Sequence, residues 1–100
     1  MNEMEFRIWL SKKSTNKKVI SDTVSRLKRL EREINYCDID NEYYLDKCKM
    51  LLSYFEGKGI NSHMDAAKTT LPVGKYQLST YKYALRKYIA FLEETTSSNQ

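Results

Sequence analysis

Apolar residues recur along most of the chain with the period of an α-helix. They return every three or four residues in four segments, which places them on one face of each predicted helix. The last of these faces is the clearest, and it carries Leu78, Tyr81, Leu85, Ile89 and Leu92. The pattern predicts helices over 3–11, 17–34, 41–56 and 76–94.

The segments between these helices contain residues that begin or end helices. Ser14, Thr15 and Asn16 are each competent to cap the second helix, and Asp38 or Asp40 can cap the third. The stretch 57–75 is the least regular, because Ile60, Met64 and Ala67 mark only a short helix that would begin near Asn61 or Ser62. We therefore expect an all-α fold, a compact bundle of four helices, or five if this short helix forms. The bundle spans residues 1–94, and 95–100 form a flexible polar tail.

The same periodicity predicts the core. We expect one shared cluster of buried side chains: Trp9, Leu27, Leu30, Leu51, Leu85 and Ile89. The apolar stripe of the third helix is predicted to contain Tyr44, Leu45, Cys48, Leu51, Leu52 and Phe55. Trp9 is the one tryptophan, and it has two interpretations: an anchor of the core, or a platform on which a nucleic-acid base stacks.

Composition narrows the class of protein. A chain of 100 residues with 41% hydrophobic and 30% charged residues is typical of one globular domain, and few Gly and Pro favour helices over a β-sandwich. No apolar run reaches the ~18 residues of a membrane span and no secretory signal is present, so we expect a cytoplasmic protein without a membrane partner. Cys37 and Cys48 are then expected to be reduced, with a disulfide as the alternative.

Charge is segregated along the chain. Residues 1–35 carry a net charge of +4, residues 36–57 of −3 and residues 58–100 of +3. A solvated surface would explain a net charge of this size, but the separation of sign favours a basic face and an anionic partner.

The basic residues lie on the faces of the second and fourth predicted helices that point away from the core. Small hydroxyl side chains interrupt both faces, and such side chains allow close approach to a phosphate and can hydrogen-bond it. The residues predicted to contact the anionic partner are Lys17, Lys18, Ser21, Ser25, Lys28 and Arg29 on the second helix, and Lys75, Ser79, Lys82 and Arg86 on the last.

Catalytic patterns are missing from the sequence. It contains no glycine-rich phosphate loop, no His/Cys pairing for nucleophilic catalysis and no metal-ligand spacing. The one histidine, His63, is interpreted as a solvated loop residue. We therefore expect no catalytic residue, no metal, no cofactor and no small-molecule substrate.

The order of the motifs resembles a known family. The string EFRIWLSKKSTNKKVISDTVSRLKRLE, then DID, a third helix and STYKYALRKYIAFLE are similar to the N-terminal core-binding (SAM-like) domain of tyrosine recombinases and phage integrases. The resemblance covers roughly residues 4–94, and the segment 57–75 is longer than the family's usual connection. It implies a SAM-like orthogonal bundle of four helices that clamps duplex DNA, with the second and last helices facing the DNA. It also implies that the ten residues named above on the basic faces of these two helices contact the DNA.

Two functions follow from these observations. The first is a module that binds double-stranded DNA. We expect it to lack a catalytic domain, because the chain ends before the Arg, His and Tyr set of the family. A longer protein that contains this module could be a recombinase. The alternative is a small helical adaptor that uses its tyrosine-rich, basic surface to bind a protein partner. Steep salt dependence and competition by nucleic acid would distinguish the first from the second.

Overall fold

The computed structural model describes residues 1–13 and 16–97. These residues are all-helical and contain no strand, as predicted. A tight turn at Glu56–Gly59, called the 56–59 turn below, lies between the fourth and fifth helices. The helices in the described ranges are α1 (Glu3–Lys13), α2 (Lys17–Glu33), α3 (Ile39–Asp46), α4 (Lys49–Ser53), α5 (Ser62–Ala67) and α6 (Leu78–Ser97).

Two of the predicted caps are confirmed. The Oδ1 atom of Asn16 accepts hydrogen bonds from the amides of Lys18 and Val19, at 2.9 and 3.2 Å, and so satisfies two N–H groups that have no partner within α2. Asp38 caps α3 by accepting from the amide of Asp40. The alternative caps Ser14 and Thr15 lie outside the described residues.

The prediction of one continuous helix over 41–56 is wrong. Lys47 and Cys48 both adopt the left-handed conformation, with φ of 58° and 64°, so the chain ends α3 and starts α4 in a new direction. The break changes which residues face the core. Cys48 and Leu51 remain buried, whereas Tyr44 and Leu45 are 87% and 67% exposed and do not belong to the predicted apolar stripe.

The short helix predicted near Asn61 or Ser62 is confirmed as α5. The side chain of Asn61 caps it by accepting from the amide of Met64 at 2.9 Å. The same side chain donates to the carbonyls of Tyr54 and Glu56, and thereby ties the end of α4 to the start of α5. His63 lies on α5 rather than in a loop, and its Nδ1 is 3.0 Å from the Ser53 hydroxyl.

The last helix is displaced along the chain from its predicted bounds. It begins at Leu78, two residues later than expected, and it continues to Ser97. The hydroxyl of Thr95 donates to the carbonyl of Phe91 at 2.8 Å, so the first part of the predicted polar tail is helical. Residues 98–100 lie outside the described residues.

One hydrophobic cluster joins the helices, and α2 and α6 form its largest contact. Leu27, Leu30, Leu51, Leu85 and Ile89 are buried in it, as predicted. Trp9 is only partly buried. Its ring packs beside those of Phe6 and Phe91, and its indole N–H donates to Glu94 at 3.0 Å. These contacts agree with its interpretation as an anchor, at the edge of the core.

Acidic side chains gather around the first residues of the chain. The α-amino group of Met1 donates to Asp38 and Glu31, at 2.8 and 3.1 Å. The hydrogen bond from this ammonium group lowers the pKa of Asp38. The buried hydroxyl of Tyr88 donates to Asp40, and burial followed by this hydrogen bond raises the pKa of Tyr88. The carboxylates of Glu31, Asp38 and Asp40 are therefore each paired with a donor within the fold.

Cys37 and Cys48 are free thiols. Burial, followed by nearby carboxylates, raises the pKa of each to about 12. Within the described ranges, no helix combines the length and the apolar composition that a membrane span requires.

Candidate functional site

Two grooves meet beside the start of α6. The first, called the α2 groove below, lies between α2, the segment 69–73 and the first residues of α6; Arg26 and Arg29 line its α2 side. The second, called the turn groove, lies between the 56–59 turn and α6; Lys58, Ser79 and Lys82 line it. Lys75 and Tyr76 line both grooves, so the two form one continuous surface.

The backbone of the 56–59 turn brings Lys58 close to Lys75. Gly57, Lys58 and Gly59 all have positive φ, of 58°, 59° and 83°, which folds the chain sharply after α4. The carbonyl of Lys58 then accepts a hydrogen bond from the amide of Gly74 at 2.7 Å. Because Gly74 directly precedes Lys75, this bond fixes the two lysine-bearing segments side by side.

Gly59 is required for a close approach between the 56–59 turn and α6. A Cβ atom at this position would lie 2.7 Å from Cδ2 of Leu78 and 3.5 Å from both methyl groups of Val73. Real Cβ atoms do not approach other carbons this closely, and a positive φ is unfavourable for any residue with a side chain. The glycine therefore allows the turn to pack against the first residue of α6.

A second turn positions Lys75 and Tyr76. The amide of Lys75 donates to the carbonyl of Pro72 at 3.2 Å, and Gly74 has a φ of 78° at the third position of this turn, as in a type II turn. The amides of Leu78 and Ser79 then donate to the carbonyls of Lys75 and Tyr76. Tight turns thus lead directly into α6, and they leave both side chains exposed.

The α2 groove is held together by Arg29. Its guanidinium donates to the hydroxyl of Tyr81 at 2.8 Å and to the carbonyl of Thr70 at 3.0 Å, and it lies 5.7 Å from the centre of the Tyr81 ring. Glu33, one turn later on α2, accepts from the amide of Thr70 at 3.1 Å. That backbone hydrogen bond lowers the pKa of Glu33. Segment 69–73 is therefore fixed to α2 at two points.

The structure brings five of the predicted contacts to the grooves or next to them. Lys75, Ser79 and Lys82 line the turn groove, Arg29 lines the α2 groove with Lys75, and Arg86 is exposed one turn beyond Lys82 on α6. Arg29 also stabilises the fold, so it is not the purely solvent-facing cation that the helical pattern suggests.

The other predicted contacts lie elsewhere on α2. Lys17, Lys18, Ser21 and Ser25 are exposed and line neither groove. Lys18, Ser25 and Arg29 share a helical row: Ser25 follows Lys18 by seven residues, and Arg29 follows Ser25 by four. This row leads towards the α2 groove. Asp22 occupies the same row. Lys28 points towards α1, where its ammonium lies 2.7 Å from Glu3, and this hydrogen bond lowers the pKa of Glu3.

The groove residues that are absent from the sequence-based set include two cations and an exposed tyrosine. Arg26 lies at the edge of α2 beside Arg29, Lys58 lies in the 56–59 turn, and Tyr76 precedes α6. Helical periodicity cannot identify the last two, because neither lies on a helix. The sequence does contain one indication that Lys58 is exposed. It lies between Gly57 and Gly59, and two glycines favour a turn that exposes the polar side chain between them.

The lining of the grooves is strongly basic. Among the described residues it includes five cations from four parts of the chain, Arg26, Arg29, Lys58, Lys75 and Lys82, and a single carboxylate, Glu56. The part of the chain that the structure describes contains no group of three or more His, Cys, Asp or Glu side chains that could hold a metal ion. The basic lining makes the surface suited to binding anions.

Comparison with known proteins gives no match: no protein-family model, no curated protein and no solved structure is similar to this chain.

Proposed function

We propose that this chain is a DNA-binding module that holds the phosphate backbone of duplex DNA along the α2 groove and the turn groove. One observation carries the proposal. Two grooves that share Lys75 and Tyr76 collect cations from α2, the 56–59 turn and α6 on one surface, with a single carboxylate in the lining. Duplex DNA carries one negative charge per ~1.7 Å of helix axis, so a basic surface that extends across several elements suits it.

The chemistry of the side chains supports phosphate contacts. Lysine ammonium groups bind phosphate as point charges, and an arginine can bind two phosphate oxygens at once. In the described part of the chain, neither Lys75 nor Lys82 forms an ion pair, so both retain their charge for a partner. Such contacts position the protein on DNA and carry no sequence information by themselves.

The resemblance to the core-binding domain of tyrosine recombinases belongs to the same proposal. In that arrangement α1, α2, the α3–α4 pair and α6 would correspond to the four helices of the family, and α5 would be an insertion before the last one. The α2 groove lies beside both of the helices that the family turns towards DNA, and the turn groove lies beside the second of them, α6. Recombinase activity is not proposed for these 100 residues.

The test is a titration with fluorescent duplex DNA at several salt concentrations. With about six phosphates contacted, the log–log slope of affinity against salt should be near −5. Lys75→Ala with Lys82→Ala should weaken binding and reduce the magnitude of this slope by about 2. The thermal midpoint should be nearly unchanged, because neither side chain forms an ion pair in the described structure.

The matched control is Lys12→Ala with Lys49→Ala. Both lysines are exposed, and neither lines either groove. This pair removes the same charge, so it should leave the slope close to that of the unmodified protein. Equal losses in the two double variants, or no salt-dependent binding at all, would exclude the DNA proposal.

The adaptor remains the second candidate because of one observation on α3. Tyr44 and Leu45 expose neighbouring apolar surface there, next to the end of α6. Exposed apolar patches mark sites of protein association. If duplex DNA does not bind, this face and the basic grooves become the surfaces to test against protein partners, with Leu45→Ser as the variant that should abolish association.

A further inference from the structure

The turn groove differs from a simple phosphate-binding surface because its lining is largely apolar. It has a volume of about 360 Å³, which lies within the range of small-molecule sites. Phe55 and Leu78 line it and are almost fully buried, at 3% exposure each. Gly57 has no atom within 4 Å of the place where a Cβ would be, so space is open above this part of the turn.

An aromatic ring and three ammonium groups surround this apolar lining. Tyr76 is 79% exposed, so most of its side chain is accessible to a ligand. Lys58, Lys75 and Lys82 reach the groove from the turn, from the segment before α6 and from α6 itself. The hydroxyl of Ser79 donates to the carbonyl of Tyr76 at 2.7 Å, which leaves its oxygen able to accept a hydrogen bond from a ligand.

These features select for a ligand with a flat ring next to an anion. Inorganic phosphate would leave the exposed ring of Tyr76 without a partner, and the carboxylate side chains of Asp and Glu have no ring to stack on it. A nucleotide satisfies both parts, because its base stacks on aromatic side chains and its phosphate binds the lysines. A base that is paired inside a duplex cannot enter a groove, so the nucleotide must be unpaired or free.

We propose that the turn groove binds a single nucleotide, with its base against Tyr76 and its phosphate between Lys58, Lys75 and Lys82. The proposal rests on the proposed function, since the turn groove is part of the surface assigned to the duplex. The nucleotide can be an unpaired residue of the bound strand or a free mononucleotide, and both present the same chemistry.

The experiment compares two DNA duplexes that differ at one position. One is fully paired, and the other carries a single unpaired 2-aminopurine, a fluorescent base. The bulged duplex should bind about tenfold more tightly or better, because stacking one base on an aromatic side chain is worth about 1–3 kcal/mol. Its 2-aminopurine fluorescence should change on binding.

Two variants show whether a preference for the bulged duplex comes from stacking on Tyr76 or from the greater flexibility of bulged DNA. Tyr76→Leu removes the ring, and the bulged and paired duplexes should bind to this variant with equal affinity. A preference for the bulge that persists in Tyr76→Leu would come from DNA bending and would overturn the inference. Tyr44→Leu, which removes an equally exposed tyrosine outside the grooves, should change neither affinity.

Adenosine monophosphate distinguishes the two sources of the nucleotide. If it shifts the NMR amide signals of Gly57 and Lys58 while the bulge adds no affinity, the ligand is a free nucleotide. If the bulge is preferred and adenosine monophosphate causes no shift, the ligand is a nucleotide within a strand. If neither happens, the inference is wrong, and binding of the paired duplex then decides the proposed function separately. If the paired duplex does not bind either, both the inference and the proposed function are wrong.

Discussion

At the scale of single residues, Lys58 combines a basic side chain with an unfavourable backbone. Its φ of 59° and ψ of 27° lie in the left-handed region, which costs a residue with a Cβ about 1–2 kcal/mol. Strained backbones of this kind concentrate at functional sites, where the side chain has a role that glycine cannot fill. The strain at Lys58 is consistent with its place in the turn groove.

We predict that Lys58→Gly affects stability and DNA binding in opposite directions. Glycine relieves the left-handed strain, so the free energy of unfolding should rise by about 0.5–1 kcal/mol after the greater entropy of the unfolded chain is subtracted. The affinity for duplex DNA should fall, and the magnitude of the salt slope should decrease by about 1. Urea denaturation and DNA titration of the same sample measure the two effects.

Lys47→Gly is the matched control for this substitution. Lys47 is also an exposed lysine in the left-handed region, with a φ of 58°, but it ends α3 and lines neither groove. The Lys47→Gly variant should gain about as much stability as Lys58→Gly, and its affinity for duplex DNA should equal that of the unmodified protein. A similar loss of affinity in both variants would mean that net charge alone, and not the position of Lys58, controls binding.

At the scale of helices and turns, the sequence predicts the regular segments well and the irregular ones poorly. The bounds of α1, α2 and α6 fall within a few residues of those expected, because α2 and α6 have long apolar stripes and α1 has the apolar triplet Phe6, Trp9 and Leu10. The break at Lys47 and Cys48 could not be predicted, since the apolar spacing continues through it and neither residue is a glycine. Tertiary packing of Ile39 and Leu51 overrides the local pattern there.

Segment 69–73 depends on Glu33 for one of its two attachments to α2. The hydrogen bond from the amide of Thr70 lowers the pKa of Glu33 in the folded state below the usual glutamate value of 4.5. A carboxyl whose folded pKa is lowered stabilises the fold above its unfolded pKa and loses that contribution as pH falls through the folded pKa. Glu33 should therefore make stability more sensitive to acid.

We predict that Glu33→Gln removes this part of the pH dependence. The amide oxygen of glutamine still accepts from Thr70, but it carries no charge and does not titrate. The stability difference between the two proteins should be constant above pH ~5, where the Glu33 carboxylate is charged in both states, and should shrink as pH falls further. Thermal midpoints between pH 3 and pH 7 measure it. Glu93→Gln, an exposed change of the same charge on α6, is the control, and an identical profile for it would contradict the assignment.

At the scale of the whole molecule, the sequence predicts the sign of the surface better than the position of its charges. The basic faces of the second and last predicted helices do lie on α2 and α6, which pack against each other. The grooves, however, are completed by Lys58, Lys75 and Tyr76, whose positions depend on turns that contain Gly57, Gly59 and Gly74. Periodicity carries no information on such long-range contacts, whereas glycine and proline mark only where the chain turns.

The core is also a property of the whole molecule, because every α-helix in the described ranges contributes to it. Phe6, Leu27, Ile39, Met64 and Leu85 come from five different helices and belong to one cluster with Cys48, which lies between α3 and α4. A shared cluster of this kind favours unfolding as one cooperative unit. Cys48 is then a probe of global unfolding, since it is buried and its thiol pKa is raised to about 12.

We predict that a cavity in α6 accelerates the labelling of Cys48 at the distant α3–α4 junction. Leu85→Ala removes a fully buried side chain and should cost about 2–5 kcal/mol. In a Cys37→Ala background, Cys48 is the one remaining thiol, and its reaction with a thiol reagent should become roughly 30-fold faster or more, because each 1.4 kcal/mol changes the unfolded population tenfold. The labelling rate and the urea midpoint should report the same change in free energy. If Leu85→Ala lowers the urea midpoint but leaves the labelling rate unchanged, the α3–α4 junction opens locally and the core is not a single cooperative unit.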